Sequence, residues 1–196
     1  MSTVAGLATR ERLLAAAREL IEEGGYGSAS VAAIAERAGV AAGTLYRHFS
    51  SKEELFVQVF RSVCEGEERA MRAAAASATG GAVERLEALL ATFAQRALRN
   101  PRLAWALLAE PVDSLVDAER LAYRRRYAEL IAGELQAGVA AGEIPAQDVV
   151  FTAAALVGGC AEALVGPLSP VADPEVEAAE VVAAIRMFAV RAIGAG

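Results

Sequence analysis

Histidine, lysine and tryptophan occur once each in this chain of 196 residues, cysteine occurs twice, and aromatic residues make up 6% of it. A single histidine, His48, leaves no multi-histidine metal site and, once it is assigned to the segment 30–53, no histidine for a catalytic triad. The two cysteines, Cys64 and Cys160, have no C-x-x-C spacing and supply no disulfide framework. No metal, no cofactor and no enzymatic activity is therefore expected. No charged-apolar-small leader pattern opens the chain. The longest stretch free of charge, Val149–Ala161, has 13 residues, short of the ~20 needed to cross a bilayer. It reads as a buried helix, and the protein as cytoplasmic. Strand-like alternation and internal repeats are missing as well, so the expected fold class is all-α.

What the chain has in abundance is alanine and helical periodicity, within a hydrophobic content of 55%. Breakers divide it clearly. Helices are predicted over 51–77, ended by Thr79-Gly80-Gly81, and over 82–99, ended by Asn100-Pro101. A short helix follows from Pro101 until Pro111 stops it, because proline suits a first helical turn and disfavours helix before it. Further helices are predicted over 117–141, 147–165 and 174–193, the last two separated by the loop GPLSPVADP.

Near the start, SVAAIAERAGVAAGTLYRHFSSKE (30–53) has a different character. Val31, Ile34, Ala35 and Ala38 fall at i, i+3, i+4 and i+7, so one stripe faces a core. Gly39 supplies the freedom for a sharp turn between helices. Leu45 and Phe49 then point inward four residues apart, which turns Ala42, Gly43, Tyr46 and Arg47 outward. An exposed Tyr and Arg beside nearly bare backbone suit a DNA groove. Hydroxyls on Thr44 and Tyr46 can donate to phosphate oxygens, which sets register without reading sequence. Lys52 stands at the start of the next helix, where its charge and the helix N-terminus both attract an anion. Ser50 and Glu53 form an S-x-x-E capping pattern that fixes this start. Taken singly, Tyr46 also reads as a half-buried core aromatic, Arg47 as a solvated charge and His48 as an ordinary surface histidine.

The ordered run GTLYRHFSSKEELF resembles the DNA-binding module of the tetracycline-repressor (TetR) family. The likeness extends from about Thr9 to Phe56 and includes a supporting first helix, TRERLLAAARELIEEGGYGSAS. It implies phosphate contacts for Thr44, Tyr46, His48 and Lys52, and places Ala42, Gly43 and Arg47 against base edges. Two departures stand out. Ala41 replaces the family's usual Ser or Thr cap, removing about 0.5–2 kcal/mol of helix stability. Ala42, with Ala32 on the supporting helix, leaves Arg47 as the main side chain able to read a base, by a bidentate contact to guanine.

Charge separates this segment from the rest. The whole chain carries −6; residues 1–52 hold six cations (Arg10, Arg12, Arg18, Arg37, Arg47, Lys52) and five glutamates, for +1, which leaves −7 for the remainder. A reader this weakly basic needs a partner subunit to bind tightly. Arg10 and Arg12, following a flexible arm MSTVAGLAT, are candidates for backbone contacts or for plain solvation.

The expected division is 1–52 as a helix-turn-helix DNA-binding domain and 53–196 as a helical effector-binding and dimerisation domain. Candidates to line a ligand cavity are Phe60, Phe93, Trp105, Leu108, Tyr123, Tyr127, Phe151 and Met187. Tyr123 and Tyr127 bracket three arginines, one of which can meet an acidic ligand, while the others are solvated or paired with Glu119, Glu129 or Asp117. For a homodimer interface the candidates are Ala154, Gly158, Ala161, Val182, Ile185, Phe188 and Ala189, on two apolar helices that must bury against something. The TetR resemblance implies a four-helix bundle there, shared between two subunits. The reading is a ligand-responsive repressor of a palindromic double-stranded DNA operator. Two alternatives stay open: a helical protein-interaction adaptor and a thiol-based redox regulator.

Overall fold

The computed structural model describes residues 2–172 and 177–195, with the side chains of 2–5 left aside. Among the described residues there is no strand, as an all-α chain requires. The helices are α1 (Ser2–Gly24), α2 (Val31–Arg37), α3 (Leu45–His48), α4 (Lys52–Ser77), α5 (Ala82–Arg99), α6 (Pro101–Leu108), α7 (Ser114–Ala141), α8 (Val149–Leu168) and α9 (Ala178–Ala192). Two compact units result: Met1–Val63 with Arg102–Arg120, and Cys64–Pro101 with Leu121–Gly196. This packing division is a different cut from a functional one at 52/53.

In the first unit, α1 packs on α2 and α3 around a core that includes Leu13, Ala17, Ile21, Ile34, Leu45 and Leu55. Tyr26 stacks edge-on against Phe56, with ring centroids 5.1 Å apart. The chain turns between α1 and α2 at Gly25, φ 77°, and α6 grips that turn. Arg102 Nη2 donates to the Gly24 carbonyl at 2.6 Å, and the Tyr26 N–H donates to Glu110 Oε2 at 3.2 Å. Arg120 in turn donates to the carbonyls of Leu107 (2.8 Å) and Glu110 (3.0 Å), satisfying the orphan acceptors at the end of α6.

The second unit is built on α5, which packs on α9 and α8. Leu86, Leu89, Ile131, Leu135, Leu156, Leu164 and Ile185 are buried within it.

Several helix ends differ from the sequence expectation, each for a local reason. Ser2 to Thr9, expected as a flexible arm, is helical and belongs to α1. α7 begins at Ser114 rather than at 117, since Asp113 Oδ1 accepts from the Leu115 and Val116 N–H groups at 2.8 and 3.2 Å. Asp148 caps α8 in the same way, so it starts at Val149 rather than at 147. α8 then continues past 165 and through Pro167 to Leu168. Buried Leu164 and Leu168, four residues apart, offset the hydrogen bond that proline removes. The expected start of the last helix, Pro174, lies outside the described residues.

The reading of Val149–Ala161 as a buried helix is corrected. α8 has the length and hydropathy of a membrane-crossing helix, yet 28% of its apolar window is buried, and it contains Glu162. One face packs inside the unit through Ala153, Leu156 and Cys160, while Phe151 on the opposite face is 72% exposed.

Candidate nucleic-acid interface

Ser30 starts α2 by accepting from the Ala33 N–H at 3.1 Å, a side-chain cap. Gly39 ends it at φ 65°. Val40 N–H reaches back to the Ala35 carbonyl (2.9 Å) and Gly39 N–H to the Glu36 carbonyl (3.0 Å), the paired bonds of a Schellman stop. A left-handed residue is needed at this place, which is why glycine stands there. Ile34, Ala35 and Ala38 are buried as the stripe predicts, while Val31 is half-buried.

The reading segment then forms in two parts: a tight 3₁₀ turn, Ala42–Thr44, running into α3. Ala41 makes no side-chain cap bond; its carbonyl accepts from Thr44 N–H at 2.8 Å. Leu45 (0% exposed) and Phe49 (2%) anchor the segment from below. Ala42, Gly43, Tyr46 and Arg47 are accordingly exposed, with Thr44 and His48 half-buried. Tyr46 is 58% exposed, which excludes its reading as a half-buried core aromatic. A Cβ built on Gly43 would meet nothing within 4 Å, so the backbone there is open to close approach.

The cap before α4 sits one residue later than the sequence pattern indicates. Ser51 Oγ accepts from the Glu54 N–H at 3.1 Å, and Glu54 Oε2 accepts from both the N–H and the hydroxyl of Ser50 at 2.6 Å. The box is Ser51 with Glu54, not Ser50 with Glu53, because two S-x-x-E registers overlap and only tertiary placement chooses between them. Those hydrogen bonds from Ser50, helped by the charge of Arg10, hold the Glu54 carboxyl below its ordinary range. The box makes half-buried Lys52 the first residue of α4. Its ammonium lies 5.1 Å from the Phe56 ring centroid. Glu53 and Glu54 share the first turn and offset the pull of the helix N-terminus on an anion, so attraction here rests on Lys52.

Two arginines find places that sequence spacing does not reveal. Arg10 lies 5.0 Å over the Phe49 ring. Arg37 makes a two-pronged bond to Glu23 (2.8 and 2.9 Å) and a longer one to Glu19 (3.3 Å). These pairs raise the Arg37 guanidinium further above its ordinary value and lower Glu23. A shallow cleft of about 170 Å³ opens beside them, lined by Arg12, Ala15, Ala16, Glu19, Arg37 and Ala38.

The ligand candidates fall in both units. Phe60, Trp105 and Leu108 belong to the first unit. Phe93, Tyr123 and Tyr127 cluster in the second, with centroids 5.8 Å apart for Phe93–Tyr127 and 6.1 Å for Tyr123–Tyr127. The Tyr127 hydroxyl donates to the Cys64 carbonyl at 3.3 Å, and burial raises its pKa. Phe151 and Met187, expected to line a cavity, are instead 72% and 49% exposed. Of the three neighbouring arginines, Arg126 pairs with Glu68 at 2.6 Å rather than with Glu119, Glu129 or Asp117. Glu119 is paired with Arg61 and Asp117 with Arg120.

The dimer candidates divide by face. Ala161, Val182, Ile185 and Ala189 are buried within the second unit itself. Ala154, Gly158 and Phe188 are exposed, and with Phe151, Ala155, Ala184 and Met187 they form the apolar surface of α8 and α9. Gly159 has a packing reason, since a Cβ there would come within 3.1 Å of the Phe188 ring.

Residues 13–59 match the family model of bacterial regulatory proteins of the tetR family, and residues 79–164 match a tetracyclin repressor-like C-terminal domain. The transcriptional regulator UidR of Escherichia coli is 44% identical over 63 residues, covering 32% of this chain and 31% of that protein. The repressor KstR2 of Rhodococcus jostii is 34% identical over 137 residues, 68% of this chain and 66% of its own length. The chain thus spans between about a third and two thirds of these relatives. Among solved structures, the regulator FadR from Bacillus subtilis in complex with stearoyl-CoA superposes with a TM-score of 0.79 at 24% identity, covering 93% of this chain and 98% of that one. With an outward reading helix set on a Schellman turn and both family models matched, the chain belongs to the TetR family of bacterial regulatory proteins.

Proposed function

We propose that this protein is a cytoplasmic, homodimeric, ligand-responsive transcriptional repressor that leaves a palindromic DNA operator when a small-molecule effector binds. The observation that carries this reading is the face of residues 42–48: Leu45 and Phe49 are buried, and Ala42, Gly43, Tyr46 and Arg47 are turned to solvent. Thr44, Tyr46, His48 and Lys52 position phosphates, while Gly43 lets backbone approach the base edges and Arg47 reads guanine. Arg37 is neutralised by two glutamates, so one reader is a weak binder and two are needed. The apolar surface at Phe151, Ala154, Gly158 and Phe188 supports pairing through α8 and α9. A two-fold dimer presents its second reader to a half-site about one DNA turn away.

The functional division is 1–52 for DNA and 53–196 for effector and dimerisation. α4 is one unbroken helix from Lys52 to Ser77, joining these parts covalently. An effector that shifts α4 changes the spacing of the two readers, and it acts only through different affinity for the two arrangements. Phe93, Tyr123 and Tyr127 are the aromatic cluster on which an effector site is built. FadR, which holds stearoyl-CoA in the same fold, supports a ligand-binding role for the second unit.

The test pairs two variants against DNA, using sites found by genome-wide mapping of bound fragments. Arg47→Ala lowers discrimination between operator and random DNA by roughly 5–100-fold, the value of one bidentate base contact. Lys52→Ala weakens both about equally and reduces the salt slope by about 1. Equal losses on operator and random DNA for both variants would refute this division of labour.

A further inference from the structure

In the second unit, α4 and α7 meet through one buried carboxylate holding two arginines. Glu68 is 9% exposed. Its Oε1 accepts from Arg72 Nε at 3.0 Å and Nη2 at 2.8 Å. Its Oε2 lies 2.6 Å from Arg126 Nη2, yet takes no aligned hydrogen bond although it is fully enclosed. The Arg126 guanidinium also lies 4.7 Å over the Tyr123 ring. Two guanidinium groups share this one carboxylate, and Glu65 adds negative charge near Arg126. Both side chains reach solvent, 57% exposed for Arg72 and 46% for Arg126.

A pair built only for stability needs one arginine for one carboxylate. The second cation costs side-chain entropy and desolvation without an aligned bond in return. Two guanidinium groups held by a shared anion, with donors reaching solvent, match the geometry of a phosphate or carboxylate, for which arginine forks are suited. Arg69, three residues before Arg72 and exposed, adds positive field on the same helix side.

We propose that Arg72 and Arg126, held by Glu68, form the binding fork for the oxyanion head of an acidic ligand, a phosphate ester or a carboxylate. The proposal rests on the effector-responsive reading above and names the chemistry of its ligand. Glu68 and Tyr123 are positioning residues, and the two arginines make the contact.

The test is calorimetric titration of the full chain with inorganic pyrophosphate and, separately, with dodecanoate, at constant ionic strength. Binding of pyrophosphate alone identifies a phosphate ester, binding of dodecanoate alone a carboxylate, and either supports the fork. Arg126→Gln should weaken the bound probe roughly 10–100-fold, the loss expected for a charge-assisted contact, and Arg126→Lys should recover only part of it. Glu68→Gln discriminates further: a fork organised by the carboxylate loses affinity when Glu68 is neutralised, whereas diffuse positive charge gains it. No binding of either probe, unchanged affinity in Arg126→Gln, or tighter binding in Glu68→Gln would overturn the proposal. DNA binding of the same samples without probe separates the two readings. Intact operator binding with no anion bound removes the fork alone, and absent DNA binding removes the regulator while leaving the titration to stand by itself.

Discussion

Replacing Gly25 by alanine tests how the turn before the reading helices is held. At φ 77° an L-residue is strained by about 1–2 kcal/mol. The new Cβ would also come within 2.6 Å of Arg102 Nη2 and of Glu110 Oε2, the two groups that grip the turn. Pushing them away loosens the Arg102 bond to the Gly24 carbonyl and the Glu110 bond to the Tyr26 N–H, each worth about 1.5–3 kcal/mol when charge-assisted. Partial relaxation brings the sum to about 3–5 kcal/mol, a fall in midpoint of roughly 10 °C at about 2–4 °C per kcal/mol for a chain of this size. Gly39 is the internal standard: its φ is 65°, but a Cβ there meets nothing within 4 Å, so Gly39→Ala carries the backbone cost alone, about 1–2 kcal/mol. Gly27→Ala, with no left-handed φ and open space around it, should stay within about 0.5 kcal/mol. Urea and thermal unfolding followed by circular dichroism give the three values. If Gly25→Ala proves no more harmful than Gly39→Ala, the grip of α6 on the turn is not a source of stability and the reasoning fails.

Acid should loosen the start of α4. The Glu54 carboxyl, held low by Ser50, contributes stability that is present above its ordinary value of 4.5 and is lost as pH falls through the depressed folded value. Glu54→Gln should therefore be less stable than the parent at neutral pH and show a flatter fall below about pH 4.5, by denaturant midpoints at each pH; parallel curves would remove the link. Burial pushes the Cys160 thiol up to about 11, so in a Cys64→Ser background its reaction with a disulfide reagent at pH 8 should be far slower native than unfolded. Rapid native labelling would revive a thiol-based switch. Phe151→Glu with Phe188→Glu, both on exposed positions, should shift sedimentation toward monomer and weaken operator binding while leaving the helical spectrum intact; an unchanged oligomer would place the subunit interface elsewhere.

The reader was legible in sequence because its signals are local. The Ile34, Ala35, Ala38 stripe, Gly39 at a turn and the Leu45–Phe49 pair depend on contacts within a few residues, and periodicity records such contacts directly. The cap register was not legible, since Ser50–Glu53 and Ser51–Glu54 obey one pattern and Ser50 is drawn to Glu54 only in the folded arrangement. Nor were the partners of the arginines, because Arg37 with Glu23 and Arg126 with Glu68 are 14 and 58 residues apart, and many carboxylates compete for each guanidinium.

By itself, the sequence determined that the chain is all-α and that 30–53 turns a Tyr and an Arg outward. All of this follows from composition and from the 3.6-residue period. Tertiary structure alone decided which faces are inside. An apolar helix such as α8 or α9 has hydrophobic residues around much of its circumference, so periodicity cannot say which side is claimed by the protomer's own core. Packing against α5 took Val182, Ile185 and Ala189 and left Phe151, Gly158 and Phe188 in solvent. In the same way, packing set two arginines on one buried glutamate, an arrangement that no local pattern in either helix encodes.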